Sequence, residues 1–324
     1  TRFAGVTGVQ TCALPILPEI NYTDLSPFLQ LEFAPVESVK LSGGVRYEYA
    51  RLKIDNYQTV WANDRVKVEG GTPSFDQTLY NAGVVWTPIE PLSLFASYSE
   101  GFTVPDVGRV LRGIDTPGIK LNDYSGLQPI VTKNSEVGFR VQQAPFDFEA
   151  SYYKSTSKLG SRVELVNDAF VARREKTEID GVEISAGYSP NADHKLTVAW
   201  SHMRGRYDSD DNGSLDAKLD GLNISPDRII ASWSANWNAE LSTFLQANWA
   251  LSKEFDDAEK DFSGYALVDA AVGYKLPYGK LNLGISNLLN KQYITYYSQS
   301  ASVDPDRYFA GRGRTATLGY SIDF

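Results

Sequence analysis

Gly311–Phe324 reads GRGRTATLGYSIDF, and this stretch decides the fold class. Ala316, Leu318, Tyr320, Ile322 and Phe324 are apolar. Between them Thr315, Thr317, Gly319, Ser321 and Asp323 are small or polar. A two-residue period places the two sets on opposite faces of a strand. A strand with one lipid face and one wet face needs this alternation. A strand of a soluble sandwich can show it too, but it seldom ends a polypeptide on a Phe, because termini are usually frayed and polar.

The bulk of the chain agrees. Its 324 residues include 19 Tyr and 15 Phe, a supply of rings suited to strands. Mean hydropathy is −0.29. No run of eighteen apolar residues occurs, so no helix can span a bilayer. Transmembrane strands escape that scan because half of each is polar. The net charge of −9 argues against nucleic acid as a partner. Otherwise an acidic balance is shared by many soluble proteins.

The start of the chain reads differently. Val6–Ile16 is VTGVQTCALPI, which resembles, residue for residue, the translation of a common sequencing-library adapter. Residues 1–16 are therefore expected to be an assembly artefact. On that reading the single cysteine, Cys12, does not belong to the protein and the true start lies upstream. A leader segment is the alternative, but a basic n-region followed by an apolar core is missing.

Thirteen strands are expected after that segment, at about 26–34, 39–54, 76–87, 92–99, 133–142, 146–155, 175–189, 194–207, 225–237, 241–253, 261–274, 279–287 and 312–324. Alternation is clean in several, as where Leu196, Val198 and Trp200 interleave with Lys195, Thr197 and Ala199. Tight connections at 35–38, 88–91, 143–145, 190–193, 238–240 and 275–278 alternate with long ones at 55–75, 100–132, 156–174, 208–224, 254–260 and 288–311. An antiparallel up-and-down barrel with short periplasmic turns and long extracellular loops has this rhythm. A Greek-key sandwich would not keep it. Trp86, Phe146, Tyr188, Trp237, Tyr274 and Tyr278 flank the short turns. An aromatic girdle at one interface explains them, and so does plain strand propensity.

Four blocks resemble TonB-dependent outer-membrane receptors: Ser97–Asp106 (SYSEGFTVPD), Glu178–Tyr188 (EIDGVEISAGY), Asn287–Tyr293 (NLLNKQY) and the terminal Gly311–Phe324. Their order and spacing also fit the family, over about residues 26–324. The resemblance implies an all-β, 22-stranded transmembrane barrel closed around a plug, of which these thirteen strands are the C-terminal portion. Residues 17–324 are then a partial barrel domain, without the plug, the TonB box or the early strands. The resemblance further implies the outer membrane of a Gram-negative bacterium, uptake of a ferric siderophore, and no enzymatic activity or cofactor. Its implied partners are TonB, the barrel-assembly machinery acting through Phe324, and outer-membrane lipid and lipopolysaccharide. Haem, cobalamin or another scarce ligand is the alternative cargo. A non-transport barrel, such as an adhesin or enzyme, is the alternative class. A passive porin fits the four blocks poorly.

Family members capture cargo with aromatic and Arg side chains, which makes Arg109, Arg112 and Tyr124 in one long loop candidates for ligand binding. Tyr296, Tyr297, Arg307 and Tyr308 in the last loop are the others. Rings pack organic scaffolds, and guanidinium forks bind carboxylate or hydroxamate oxygens. The same residues are common in loops without any ligand. The Tyr-Tyr-Ser loop followed by GRGRT most resembles receptors for ferric hydroxamates, including ferric aerobactin. Asp208–Gly213 (DSDDNG) opens like a calcium loop, with Asp216 at the ninth position. Leu219 then stands where a bidentate Glu belongs, so a solvated acidic turn is the competing reading. His194 and His202, the only histidines, lie too far apart along one strand to share a metal.

Overall fold

The computed structural model describes residues 18–59, 65–166, 169–301 and 308–322. The adapter-like segment 1–16, Arg307 and Phe324 lie outside them. The wall is built from β1 (Ile20–Leu25), β2 (Phe28–Val36) and β3 (Val39–Ile54). After a small hairpin of β4 (Tyr57–Gln58) and β5 (Lys67–Val68) come β6 (Ser74–Ile89), β7 (Leu92–Thr103), β8 (Ile130–Gln143), β9 (Phe146–Val166) and β10 (Ala169–Asn191). There follow β11 (His194–Tyr207), the short β12 (Ala217–Lys218), β13 (Arg228–Asn236), β14 (Leu241–Ala250), β15 (Tyr265–Leu276), β16 (Gly279–Ser286) and β17 (Thr315–Ser321).

Every expected strand is present. β1 and β2 both pair with β3, against its far and near halves, so they form one wall strand interrupted at Ser26–Pro27. Proline has no N–H to give the ladder, and its carbonyl instead accepts from Tyr47 N at 3.0 Å. Each wall strand pairs antiparallel with its sequence neighbour, in the order β1-β3-β6-β7-β8-β9-β10-β11-β13-β14-β15-β16-β17. This is an up-and-down meander. Consecutive antiparallel strands place tight turns at one end and long connections at the other. Among the described residues no ladder joins β17 to β1 or β2, so the described sheet is open.

Register explains the alternation. The rung Ala316–Ile285–Ala270–Leu245–Trp233–Leu196–Tyr188–Phe146 is apolar across eight strands. On the other face runs Asp269–Gln246–Ser232–Thr197–Gly187–Asp147–Gln142. There the Thr197 and Ser232 hydroxyls meet at 2.6 Å. The apolar face is uncovered: Leu318 is 69% exposed, Phe146 62% and Val198 50%. A continuous apolar face of this size is foreign to water and suits a lipid surround. At the short-turn end, Phe146 stacks on Tyr188 with centroids 5.0 Å apart. Trp233 and Trp237 meet edge to face at 5.7 Å.

One expectation needs correction. Within 156–174, read as a long loop, residues 156–166 and 169–174 are strand. β9 and β10 continue far past their neighbours as a hairpin arm, paired from Phe146–Tyr188 out to Val166–Ala169 with one bulge near Glu175 and Thr177. Charge pairing across the arm holds it. Arg162 Nε donates to Glu175 at 2.8 Å, Arg173 Nε donates to Glu164 at 2.8 Å, and the Arg162 guanidinium lies 4.2 Å over the Tyr207 ring.

A single-layer sheet has no core of its own. The buried apolar cluster sits instead beyond the wall, where the segments after β3 and β7 meet. Leu52, Ile54, Val66, Val68, Val110, Leu111, Ile114, Leu121 and Leu127 form it.

Candidate functional site

The long connections gather at one end of the sheet and touch one another. The segment after β7 contains α1 (Val107–Arg112) and two 3-10 turns, Leu121–Asp123 and Ser125–Leu127. Pro105 ends the strand, and Asp106 caps α1 by accepting from Arg109 N at 3.0 Å. Val110 and Leu111 of the helix face the apolar cluster, which turns Arg112 outward. Glu69 bridges to Lys120, so the β4–β5 hairpin and this segment form one cap.

Tyr124 is part-buried against the same cluster. Burial, and then the Asp115 charge, push its hydroxyl pKa up. Tyr57 is shifted the same way, first by burial. Its hydroxyl donates to Leu111 O at 2.8 Å. These two tyrosines hold the cap together through their rings while keeping their hydroxyls neutral.

A second cluster joins the connections after β11, β14 and β16. α2 (Tyr296–Ala301) lies here. The Tyr296 hydroxyl donates to Ile224 O at 2.6 Å, and its ring meets Phe262 edge to face at 4.8 Å. Burial raises its pKa, followed by the Asp220 charge. Tyr297 next to it is 62% exposed. Tyr308 lines a cavity of about 750 Å³ together with Tyr265, Tyr293, Lys291 and Gln299. A smaller, charged cavity of about 430 Å³ lies between Arg162, Tyr207, Lys218, Asp220, Asp256 and Lys260.

The β9–β10 arm stands between the two clusters. Asn223 Nδ2 donates to Val163 O at 2.9 Å and its Oδ1 accepts from Val163 N at 2.7 Å. On the other strand Arg174 Nη2 donates to Gln128 O at 2.6 Å. Nε and Nη1 of Arg174 are buried and, like Nε of Arg109, have no hydrogen-bond acceptor among the described residues. Burial alone lowers the Arg174 pKa to about 10. Sequence reading missed Arg174 because 156–174 was taken as loop; strand pairing is what aims it under the cap.

The structure thus brings Arg109, Arg112 and Tyr124 into one cap and Tyr296, Tyr297 and Tyr308 into the other cluster, all at the long-connection end. Arg112 and Tyr297 face outward, whereas Tyr124 and Tyr296 are committed to packing. In the acidic turn, ligand oxygens of Asp208, Asp210 and Asp216 lie within 4.8 Å of one another. The turn's own donors occupy them. Asn212 N and Gly213 N donate to Asp208, and Ser209 donates twice to Asp216. Those Ser209 bonds depress the Asp216 pKa. Leu219 is buried, 3% exposed, and offers no ligand.

The family model described as TonB dependent receptor-like, beta-barrel, matches residues 6–288. The chain is 28% identical over 341 residues to a ferric aerobactin receptor of Klebsiella pneumoniae, covering 95% of this chain and 45% of that protein. It is 22% identical to a rhizobactin receptor of Rhizobium meliloti (strain 1021), covering 95% and 44%. The chain therefore spans somewhat under half the length of these relatives. Among solved structures, the copper transporter OprC superposes with a TM-score of 0.75 at 16% identity, covering 92% of this chain and 47% of that one. At that identity the likeness is one of fold.

Proposed function

The chain belongs to the TonB-dependent receptor-like β-barrel family of the Gram-negative outer membrane, and from that premise we propose that its whole protein takes up a ferric siderophore. The observation that carries this reading is the similarity, along 95% of the chain, to receptors named for ferric aerobactin and rhizobactin. Siderophore is the class we infer; a hydroxamate or aerobactin-type cargo is the narrower form of the same proposal. The whole protein would draw its energy from TonB, and its terminal strand would be read by the barrel-assembly machinery.

Ferric siderophores present packed carbon scaffolds and oxygen-rich, often anionic faces. Rings and guanidinium groups match both. At the rim, Arg112 and Tyr297 are the exposed members of the candidate set, and with Arg109, Arg307 and Tyr308 they would contact cargo. Tyr124 and Tyr296 would act by holding the loops that carry them. A charge-assisted hydrogen bond contributes about 1.5–3 kcal/mol, so losing one useful Arg weakens binding roughly ten-fold or more. The test is growth of an iron-starved host carrying the full-length gene on a panel of ferric siderophores, followed by Arg109→Ala and Arg112→Ala. Growth restored by at least one siderophore, and reduced by either substitution, is expected. Growth on haem or cobalamin with none on any siderophore would overturn the cargo and leave the receptor class.

A further inference from the structure

The acidic turn after β11 holds the one Asn-Gly pair of the sequence, Asn212–Gly213. Such a pair is open to one intramolecular reaction, in which the glycine nitrogen attacks the asparagine side-chain carbonyl carbon. Glycine favours it because no Cβ screens the nitrogen and the backbone is free to take up the angles of the ring. Gly213 sits at φ 89°, with nothing within 4 Å of where a Cβ would stand. Both residues are exposed, so water reaches the product.

Three hydrogen bonds arm the pair. Gly213 N donates to Asp208 Oδ2 at 2.7 Å. A general base takes a proton across about 2.6–3.2 Å. Ser214 N donates to Asn212 Oδ1 at 2.8 Å, where negative charge develops when Cγ is attacked. Asn212 Nδ2 donates to Asp210 Oδ2 at 2.9 Å, which fixes the rotation of the carboxamide. Asp208 itself is held: it is 3% exposed, and its Oδ1 accepts from Asn212 N at 3.1 Å. Base, nucleophile and polarised carbon thus share one short turn, and groups so placed react as if highly concentrated.

Two other turns supply the contrast. Asn191 Oδ1 accepts from Asp193 N, and Asn238 Oδ1 from Glu240 N, each at 3.0 Å. These carboxamides are polarised as Asn212 is. The residues that follow them are Ala192 and Ala239, however. Among the described residues neither alanine nitrogen donates to a carboxylate.

We propose that Asn212 is a modification site at which the protein deamidates itself, with Asp208 as the base and water as the co-reactant. Gly213 N forms a bond to Asn212 Cγ, and its proton passes to Asp208. The carbonyl electron pair moves onto Oδ1, beneath the Ser214 N–H. Its return breaks the Cγ–Nδ2 bond. The leaving nitrogen recovers the proton from Asp208 through solvent and departs as ammonia, so Asp208 is a carboxylate again. Water then opens the five-membered imide at either carbonyl. One opening gives an ordinary aspartate; the other gives an isoaspartate, whose chain runs through the side-chain carbon. Nothing is oxidised or reduced.

The change acts on the long-connection end. Lys176 Nζ on β10 donates to Gly213 O at 2.7 Å, tying the turn to the arm. Either product adds a negative charge to a turn where oxygens of Asp208, Asp210 and Asp216 already lie within 4.8 Å of one another. Isoaspartate also lengthens the backbone by one carbon, which shifts the Gly213 carbonyl away from Lys176. The inference does not rest on the identity of the cargo.

The test incubates the full-length protein, folded in detergent micelles, in heavy-oxygen water at mildly alkaline pH. After trypsin digestion the peptide Tyr207–Lys218 is read by mass spectrometry. One heavy oxygen at position 212 is expected, largely as isoaspartate, at a rate about ten-fold or more above those at Asn191 and Asn238. The same protein held unfolded in urea loses the Asp208 contact and should convert about ten-fold more slowly. Conversion in the folded protein that is equal or slower overturns the proposal, because the turn then protects Asn212; no variant is needed for this arm. D208N should slow the folded protein to the unfolded rate, and undiminished conversion in D208N overturns the role of the base. N212Q, whose longer side chain closes the ring less readily, should leave the peptide unlabelled. Labelled aspartate without any isoaspartate would mean direct hydrolysis by water and would overturn the imide route.

Discussion

Asn287 is 4% exposed and sits at φ 50°, in the left-handed region. Its Nδ2 donates to Lys291 O at 2.9 Å and to Arg312 O at 3.1 Å, and its Oδ1 accepts from Lys291 N at 2.8 Å. Its own N–H donates to Asp269 Oδ1 at 2.8 Å. Asn290, also at positive φ, accepts from Arg314 N at 3.0 Å. The Asn287–Tyr293 block is thus a clasp that sets the entry of β17 beside β16. Asn287→Ala removes three buried bonds and places a Cβ-bearing residue without local hydrogen bonding in the left-handed region. We expect a loss of about 2–4 kcal/mol, and a smaller loss for Asn287→Gly, which tolerates the backbone. Thermal unfolding of the inserted protein checks this; identical melting of all three forms would refute the clasp. The sequence marked the block, but its partner at Arg312 is distant in the chain, and only the fold brings it near. Tyr124 and Tyr296 show the same limit from the other side. Their residue type suggested contact with cargo, while burial against Leu127-side packing or Phe262 is a tertiary fact.

At the scale of elements, wall strands were legible because the bilayer imposes a two-residue period that no loop needs. Alternation was clean in several of the thirteen and the tight turns bounded the rest, whereas β1 (Ile20–Leu25) lay before the first expected strand. The projecting arm of β9 and β10 was not, because above the bilayer that period relaxes. There Arg162, Glu164, Arg173 and Glu175 replace apolar residues and look like a solvated loop. The arm's cohesion comes from ion pairs instead, and Arg162 is its centre: 8% exposed, bonded to Glu175 and stacked on Tyr207. Arg162→Ala leaves Glu175 under-paired and removes the guanidinium from the ring. The expected result is local opening, costing on the order of 1–3 kcal/mol. Hydrogen exchange read by mass spectrometry should show faster exchange for 160–175 with no change in the β9–β10 ladder below Thr156. Unchanged protection of 160–175 would mean that packing against Asn223 suffices. Either way the arm contacts both loop clusters that carry the candidate cargo residues.

On the scale of the whole molecule, the described sheet has two free edges. Every residue of β2 is exposed, and so is every residue of β17 after Thr315. In water an open edge of this kind templates strand addition by another chain, and in lipid each unpaired N–H and C=O costs several kcal/mol. Natural edges are blunted with Lys, Pro or bulges. β17, ThrAlaThrLeuGlyTyrSer in sequence, carries none of these, and its Ala316, Leu318 and Tyr320 face the apolar side. Glu32 and Pro35 give β2 modest protection. Two edges of unequal character, with an uncovered apolar face between them, make residues 17–324 on their own a poor object in either solvent. We expect that polypeptide, expressed alone, to aggregate in water and to give no folded, heat-modifiable band after transfer to lipid. The full-length gene product should give one, because strands pairing with β2 and β17 would satisfy both edges at once. Electrophoresis of unheated and heated samples distinguishes the two outcomes. Monomeric, heat-modifiable insertion of residues 17–324 alone would show that β17 and β1–β2 can meet and close a smaller ring, and the 22-strand expectation would fall with it.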